Sequence, residues 1–198
     1  KKTHKTEEVS QFDVVFSEHR KEKCILEKSV EFPGIYFIDN PGYFKRDGIY
    51  GYEGKGYSDN AERFSFFSKG VLEAAKFLKI DADIFHCHDW HAAILPLYLK
   101  TGYRDIFPRA KTLFTIHNLG YQGVFSADIF PLLGLPWNFF QMEELEFYGN
   151  VNLMKAGIIH SDMINTVSPR YAEEILTPEF GNNLDGLLRK NQNKLKGI

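Results

Sequence analysis

Cysteine is scarce in this chain of 198 residues. Only Cys24 and Cys87 occur, too few for a disulfide framework, and a reducing compartment fits that usage. No apolar run approaches the length of a transmembrane helix, and no secretory signal is legible at the start. The formal net charge of -2 excludes a basic footprint for nucleic acid and a polybasic membrane patch. No Walker A run is present and no Gly-x-Gly-x-x-Gly follows a strand, so no phosphate cradle is visible. A Ser/His/Asp arrangement with a nucleophile elbow is missing too. There is no initiator Met and both ends stop abruptly, so a fragment is expected.

What is present reads as an ordinary globular domain, 43% hydrophobic and 25% charged, long enough for one sizeable core. Aromatics are plentiful, with 18 Phe and 10 Tyr. Many Tyr lie in polar loops, which suits stacking on sugars or bases, although ordinary packing accounts for any single one. Residues 1–40 mix charge with short β-prone runs after a basic, unstructured-looking start at Lys1–Lys5. Residues 41–57 are punctuated by glycines. A helix is expected over Asp59–Lys79, with Asp59 as its cap and Glu62 as capping-box partner. Phe64, Phe67, Val71, Ala75 and Leu78 make its apolar stripe. Then follow a strand at 82–86, a short or kinked helix near 90–100 containing Pro96, and a strand at 112–116. After an irregular aromatic stretch at 124–150 come a helix over Asn152–His160, a strand over Met163–Val167 and a helix opened by Ser168-Pro169. A last amphipathic segment covers Leu184–Lys194. This alternation predicts an α/β fold with an open, mostly parallel, Rossmann-like sheet.

Chemistry concentrates in two segments, each just after a predicted strand: His86-Cys87-His88-Asp89-Trp90-His91 and Thr115-Ile116-His117-Asn118-Leu119-Gly120-Tyr121-Gln122-Gly123. In an open parallel sheet, ligands bind outside the carboxyl ends of the strands. Three histidines and an aspartate first suggest a metal. The hydrolase order is His-x-His-x-Asp-His, however, and here Asp89 directly follows the second His. Along a strand His86 and His88 share a face, and Asp89 points the other way. The other reading is a sugar site. Asp89 can accept from hydroxyls, the Trp90 indole offers an apolar face, and His117 with Asn118 supplies donors and acceptors. Cys87 reads as a small buried residue.

These segments, with Leu145-Glu146-Phe147-Tyr148-Gly149, Leu153-Met154-Lys155-Ala156-Gly157 and Asn165-Thr166-Val167-Ser168-Pro169, resemble in order and spacing the N-terminal domain of bacterial glycogen synthases and plant starch synthases. Upstream, Tyr36–Asn40, Asp47–Tyr52 and Tyr57–Phe64 resemble the same family. The resemblance implies the N-terminal, acceptor-side half of a two-domain GT-B glycosyltransferase. Such enzymes move glucose from ADP-glucose to the non-reducing end of an α-1,4-glucan, with retention and with no metal or other cofactor. It implies catalytic roles for Asp89 and His117, and substrate contacts for Tyr50, Trp90, Asn118 and Gln122. Trp90, His91 and Gln122 equally suit loop support. The family's Lys-Thr-Gly-Gly loop on the first strand, and its C-terminal nucleotide domain, are not in residues 1–198, so the chain alone is expected to be inactive. The cytoplasm is the implied location, or the plastid stroma for a plant protein. A noncatalytic glucan-binding module, another GT-B enzyme such as a sucrose-synthesising one, and a metal hydrolase are the alternatives.

Overall fold

A computed structural model describes residues 5–198. Of the basic start, only Lys5 lies within them. The opening stretch folds as an antiparallel meander of β1 (Thr6–Ser17), β2 (Arg20–Ser29) and β3 (Tyr36–Asp39), in that spatial order. Strand alternation turns Val14, Phe16, Cys24 and Leu26 into the core. Asp13 stands on the opposite face, bridged by Lys21 and Lys23. Residues 41–57 hold one helical turn, α1 (Pro41–Phe44), and a minimal hairpin of β4 (Gly51–Tyr52) and β5 (Lys55–Gly56).

The expected long helix is α2 (Asn60–Phe77). Its expected capping box does not form. Asp59 occupies the cap position without a capping bond, because both guanidinium nitrogens of Arg46 hold its carboxylate at 2.6 Å. Glu62 faces Arg20 at 3.3 Å. A bidentate charge-assisted pair outcompetes a backbone amide for the same oxygens. The apolar surface of α2 is also wider than one stripe. Phe66 and Leu72 are fully buried, since the helix touches the meander as well as the helices that follow.

Those helices are α3 (Asp89–Ala92) and α4 (Leu95–Gly102), which follow β6 (Ile84–His88) and precede β7 (Lys111–Ile116). Pro96 lies in the first turn of α4, where a missing N–H breaks no helical bond. One expected helix is thus two short ones. The aromatic stretch is not wholly irregular: β8 (Val124–Ser126), β9 (Glu146–Phe147) and β10 (Asn150–Asn152) form a small antiparallel sheet. Next come α5 (Leu153–His160), capped by Asn152, and β11 (Met163–Thr166), then α6 (Pro169–Glu174), capped by Ser168. The chain ends with α7 (Asp185–Lys190) and β12 (Leu195–Gly197). Strand β12 is too short and too polar to give a sequence signal.

Strands β6, β7, β11 and β12 lie side by side in chain order, all parallel. This is the expected α/β, Rossmann-like sheet, with the meander as an antiparallel addition. One face, with Phe85, Cys87, Phe114, Ile116 and Ile164, is buried in a single core shared with the helices. Gly157 lets α5 approach β7 closely, for a Cβ there would stand 2.7 Å from the Phe114 ring. Burial pushes the Cys87 thiol up to about 12, as expected of an inert core cysteine. The other face carries His86, His88, Leu113, Thr115, Met163 and Asn165, in register across β6, β7 and β11. No helix among the described residues is long and apolar enough to cross a membrane.

Candidate active site

Parallel pairing brings the carboxyl ends of β6 and β7 together, and with them the two histidine-bearing segments. The backbone leaves β6 at Asp89, whose φ is +54°, a left-handed conformation that costs an ordinary residue about 1–2 kcal/mol. Strain of this kind survives where surrounding structure over-determines it, commonly at functional sites. The Asp89 carboxylate reaches across to β7, where Oδ1 accepts the amide of His117 at 2.9 Å. Oδ2 has no hydrogen-bond donor among the described residues.

The exposed ring of His117 meets His88, with Nε2 3.0 Å from His88 Nδ1. His88 packs on His86, their ring centres 4.1 Å apart. Nε2 of His86 lies 2.6 Å from Thr115 Oγ1, which donates to Asn165 Oδ1 at 2.5 Å. Burial, then the neighbouring His86 and His117, lower the pKa of His88, so its neutral form is favoured. Asn118 is exposed, and its Oδ1 accepts the amide of Gly120 at 2.9 Å in a local turn.

The remaining candidates divide between surface and support. Tyr50 is 52% exposed and stacks on His91 at 4.6 Å, so its ring is an open aromatic surface at this site. Trp90, by contrast, is only 8% exposed. Phe64 meets it edge-on at 4.9 Å, and Gly123, at φ +63°, lies so close that a Cβ there would be 2.4 Å from the indole. The expected apolar platform is therefore not at Trp90, whose ring braces the second loop from within the core. Gln122 is a brace as well: its Oε1 accepts from Asn152 at 2.7 Å and its Nε2 donates to the Asn182 carbonyl at 2.9 Å. The hydroxyl of Tyr171 accepts the amide of Leu119 at 2.9 Å. Burial pushes His91 down to about 4, so it is neutral near pH 7, and its buried Nε2 has no protein partner.

Asp89, His117 and Asn118 thus stand together beyond β6 and β7, the exposed ring of Tyr50 lies against His91, and Trp90 and Gln122 brace the loops. Among the described residues no three His, Cys, Asp or Glu side chains converge as a metal site. The sequence reading missed Thr115, Asn165, Asn152 and Tyr171. The first three lie inside or beside recognisable motifs, but only strand register shows which of them meet.

Comparison with known proteins gives the family. The family model of the starch synthase catalytic domain matches residues 1–190. A glycogen synthase of Thermodesulfovibrio yellowstonii is 50% identical over 166 residues, covering 83% of this chain and 33% of that protein. The glycogen synthase of Desulforudis audaxviator is 45% identical over 200 residues, covering 96% of this chain and 39% of that protein. Among solved structures, the catalytic domain of starch synthase IV from Arabidopsis thaliana, bound to ADP and acarbose, superposes with a TM-score of 0.84 at 29% identity. That match covers 98% of this chain and 40% of the other. The chain spans only about a third of the length of the glycogen synthases it matches. With a family model over nearly all of its length and relatives near half identity, the chain belongs to the starch synthase catalytic domain family.

Proposed function

We propose that this chain is the acceptor-side, N-terminal part of a retaining glucan synthase of the two-domain GT-B kind. The whole enzyme transfers glucose from ADP-glucose to the non-reducing end of an α-1,4-glucan. A Lys-Thr-Gly-Gly strand end and a nucleotide domain would come from other parts of the same protein. The ADP and acarbose bound by the Arabidopsis neighbour support this pairing of nucleotide and glucan. No metal or other cofactor is required, and the cytoplasm, or the plastid stroma in a plant, is the proposed location.

One observation carries the reading. The shelf beyond β6 and β7 presents an unengaged carboxylate oxygen on Asp89, the exposed His117 ring and the Asn118 side chain together. These are groups that hold sugar hydroxyls. In transfer with retention the glucose passes through an oxocarbenium-like state between diphosphate and acceptor. Asp89 and His117 would act by fixing its hydroxyls and by placing negative charge where positive charge develops. Tyr50 and Asn118 would contact substrate, while Gln122 and Trp90 would keep the loops in place.

The test uses labelled ADP-glucose with a maltooligosaccharide primer. A full-length synthase carrying this segment should elongate the primer, and residues 1–198 alone should not. Elongation by the isolated chain would overturn the division of labour. Absence of transfer by the full-length protein, with glucan binding intact, would favour the noncatalytic module.

A further inference from the structure

We propose that His88 is a positioning residue for this transfer: it grips the ring of His117 and decides which ring nitrogen carries the proton presented to the sugar. The inference rests on the function proposed above. His117 is the first residue beyond β7, where the ladder of the sheet no longer fixes the chain. Two neighbouring residues at the end of β6 hold it instead. Asp89 takes its backbone amide at 2.9 Å, and His88 Nδ1 meets its ring Nε2 at 3.0 Å.

His88 is itself held. Asn165 Oδ1 can only accept, so the single hydroxyl proton of Thr115 points to it. The Thr115 oxygen must then accept from His86 Nε2–H. That chain of bonds, anchored on β11, fixes the His86 ring against which His88 packs. Between His88 and His117 two nitrogens face each other, and a bond requires one proton between them, neither two nor none. If His88 donates, neutral His117 carries its own proton on Nδ1 and offers a donor. If His117 donates, its Nδ1 is an acceptor. In either case the two tautomers are locked to each other, so that the nitrogen on which His88 carries its proton sets the one on which His117 carries its own. The lowered pKa of His88 agrees with a neutral His88 ring in this pair.

The test compares His88→Leu, which deletes the bond, with His88→Asn, whose amide places a polar atom near the former Nδ1. In a full-length synthase, His88→Leu should lower kcat about tenfold or more, the scale for losing a group that orients a reacting residue. The KM for ADP-glucose should move much less. His88→Asn should recover most of kcat. Long-range 1H–15N correlations of histidine-labelled protein should report one His117 tautomer in wild type and His88→Asn, and a mixture in His88→Leu. An unchanged tautomer with wild-type kcat in His88→Leu would overturn the proposal. So would an Asn variant as slow and as unstable as the Leu variant, which marks a purely structural role. The tautomer measurement needs no turnover, so an inactive full-length protein would count against the glucan synthase reading and not against the grip on His117.

Discussion

Two aspartates sit at opposite ends of one parallel sheet. Asp162 precedes β11 at the amino end, and its Oδ2 accepts both the amide and the hydroxyl of Thr112, at 2.8 and 2.9 Å. Its own amide returns to the Thr112 hydroxyl at 3.0 Å, and Lys111 stands 3.5 Å away. Burial works against its charge, but the Thr112 bonds and Lys111 prevail and hold its pKa below the usual carboxylate value. Asp89, at the carboxyl end, makes one amide bond from a left-handed backbone and leaves its other oxygen unengaged. Both carboxylates tie neighbouring strands. Asp162 turns its second oxygen to the Lys111 ammonium, whereas the second oxygen of Asp89 faces no donor or cation among the described residues; on the function proposed above, that difference separates a sugar-binding carboxylate from a clasp.

Substitution of each aspartate should sharpen the contrast. In a full-length synthase Asp89→Asn keeps shape, tolerance of positive φ and an acceptor for the His117 amide, but loses the charge. It should lower kcat about a hundredfold or more, as removal of one preorganised stabilising group does. KM for ADP-glucose should change far less, and melting should match wild type. Near-normal kcat would reduce Asp89 to a clasp like Asp162. Gly123→Ala attacks the carboxyl end through packing, driving a methyl into Trp90 from a left-handed backbone. A loss of about 1–3 kcal/mol is expected from overpacking, read as a lower melting temperature, together with reduced kcat as the second loop shifts. Asp162→Ala should cost about 1–2 kcal/mol by stranding the buried Thr112 donors, while kcat of the folded enzyme stays at the wild-type level. Lost activity without lost stability there would erase the distinction between the two ends.

The last effect concerns pH and leaves catalysis at neutral pH untouched. His91 titrates near pH 4 when folded and near its ordinary value of 6.5 when unfolded, so the unfolded chain takes up this proton first. Its contribution to stability is complete above pH 6.5 and is lost as pH falls from 6.5 toward 4. His88 and His160 are shifted the same way and add to the slope. Denaturant titrations of His91→Gln across that window should show a slope shallower by up to one proton. An unchanged slope would mean that the His91 ring is not buried as described.

The two ends also differ in how far they are legible in the sequence. Strands β6, β7 and β11, the helix begun at Asn152 and the cap at Ser168 are local signals, and the structure keeps them within about two residues, with Asn152 as the cap rather than the first helical residue. The strand-end location of the site follows from that alternation alone. What escapes is each fact that depends on a distant partner. Arg46 takes Asp59 from its helix, Gly123 closes the face of Trp90, and Asn152 with Asn182 claims Gln122. The family resemblance names Asp89 and His117, but the proximity of His88 to His117 appears only when β6 and β7 are in register.

The left-handed backbone at position 89 has a consequence for inheritance. Sterically the site admits glycine without strain, asparagine and aspartate at a smaller cost than other residues, and β-branched residues least of all. A library of all substitutions at this position, sorted for folded protein, should return those three. Sorted again for glucan synthesis, it should return aspartate alone. The interval between the two sorted sets measures how much of the position belongs to the fold and how much to the chemistry.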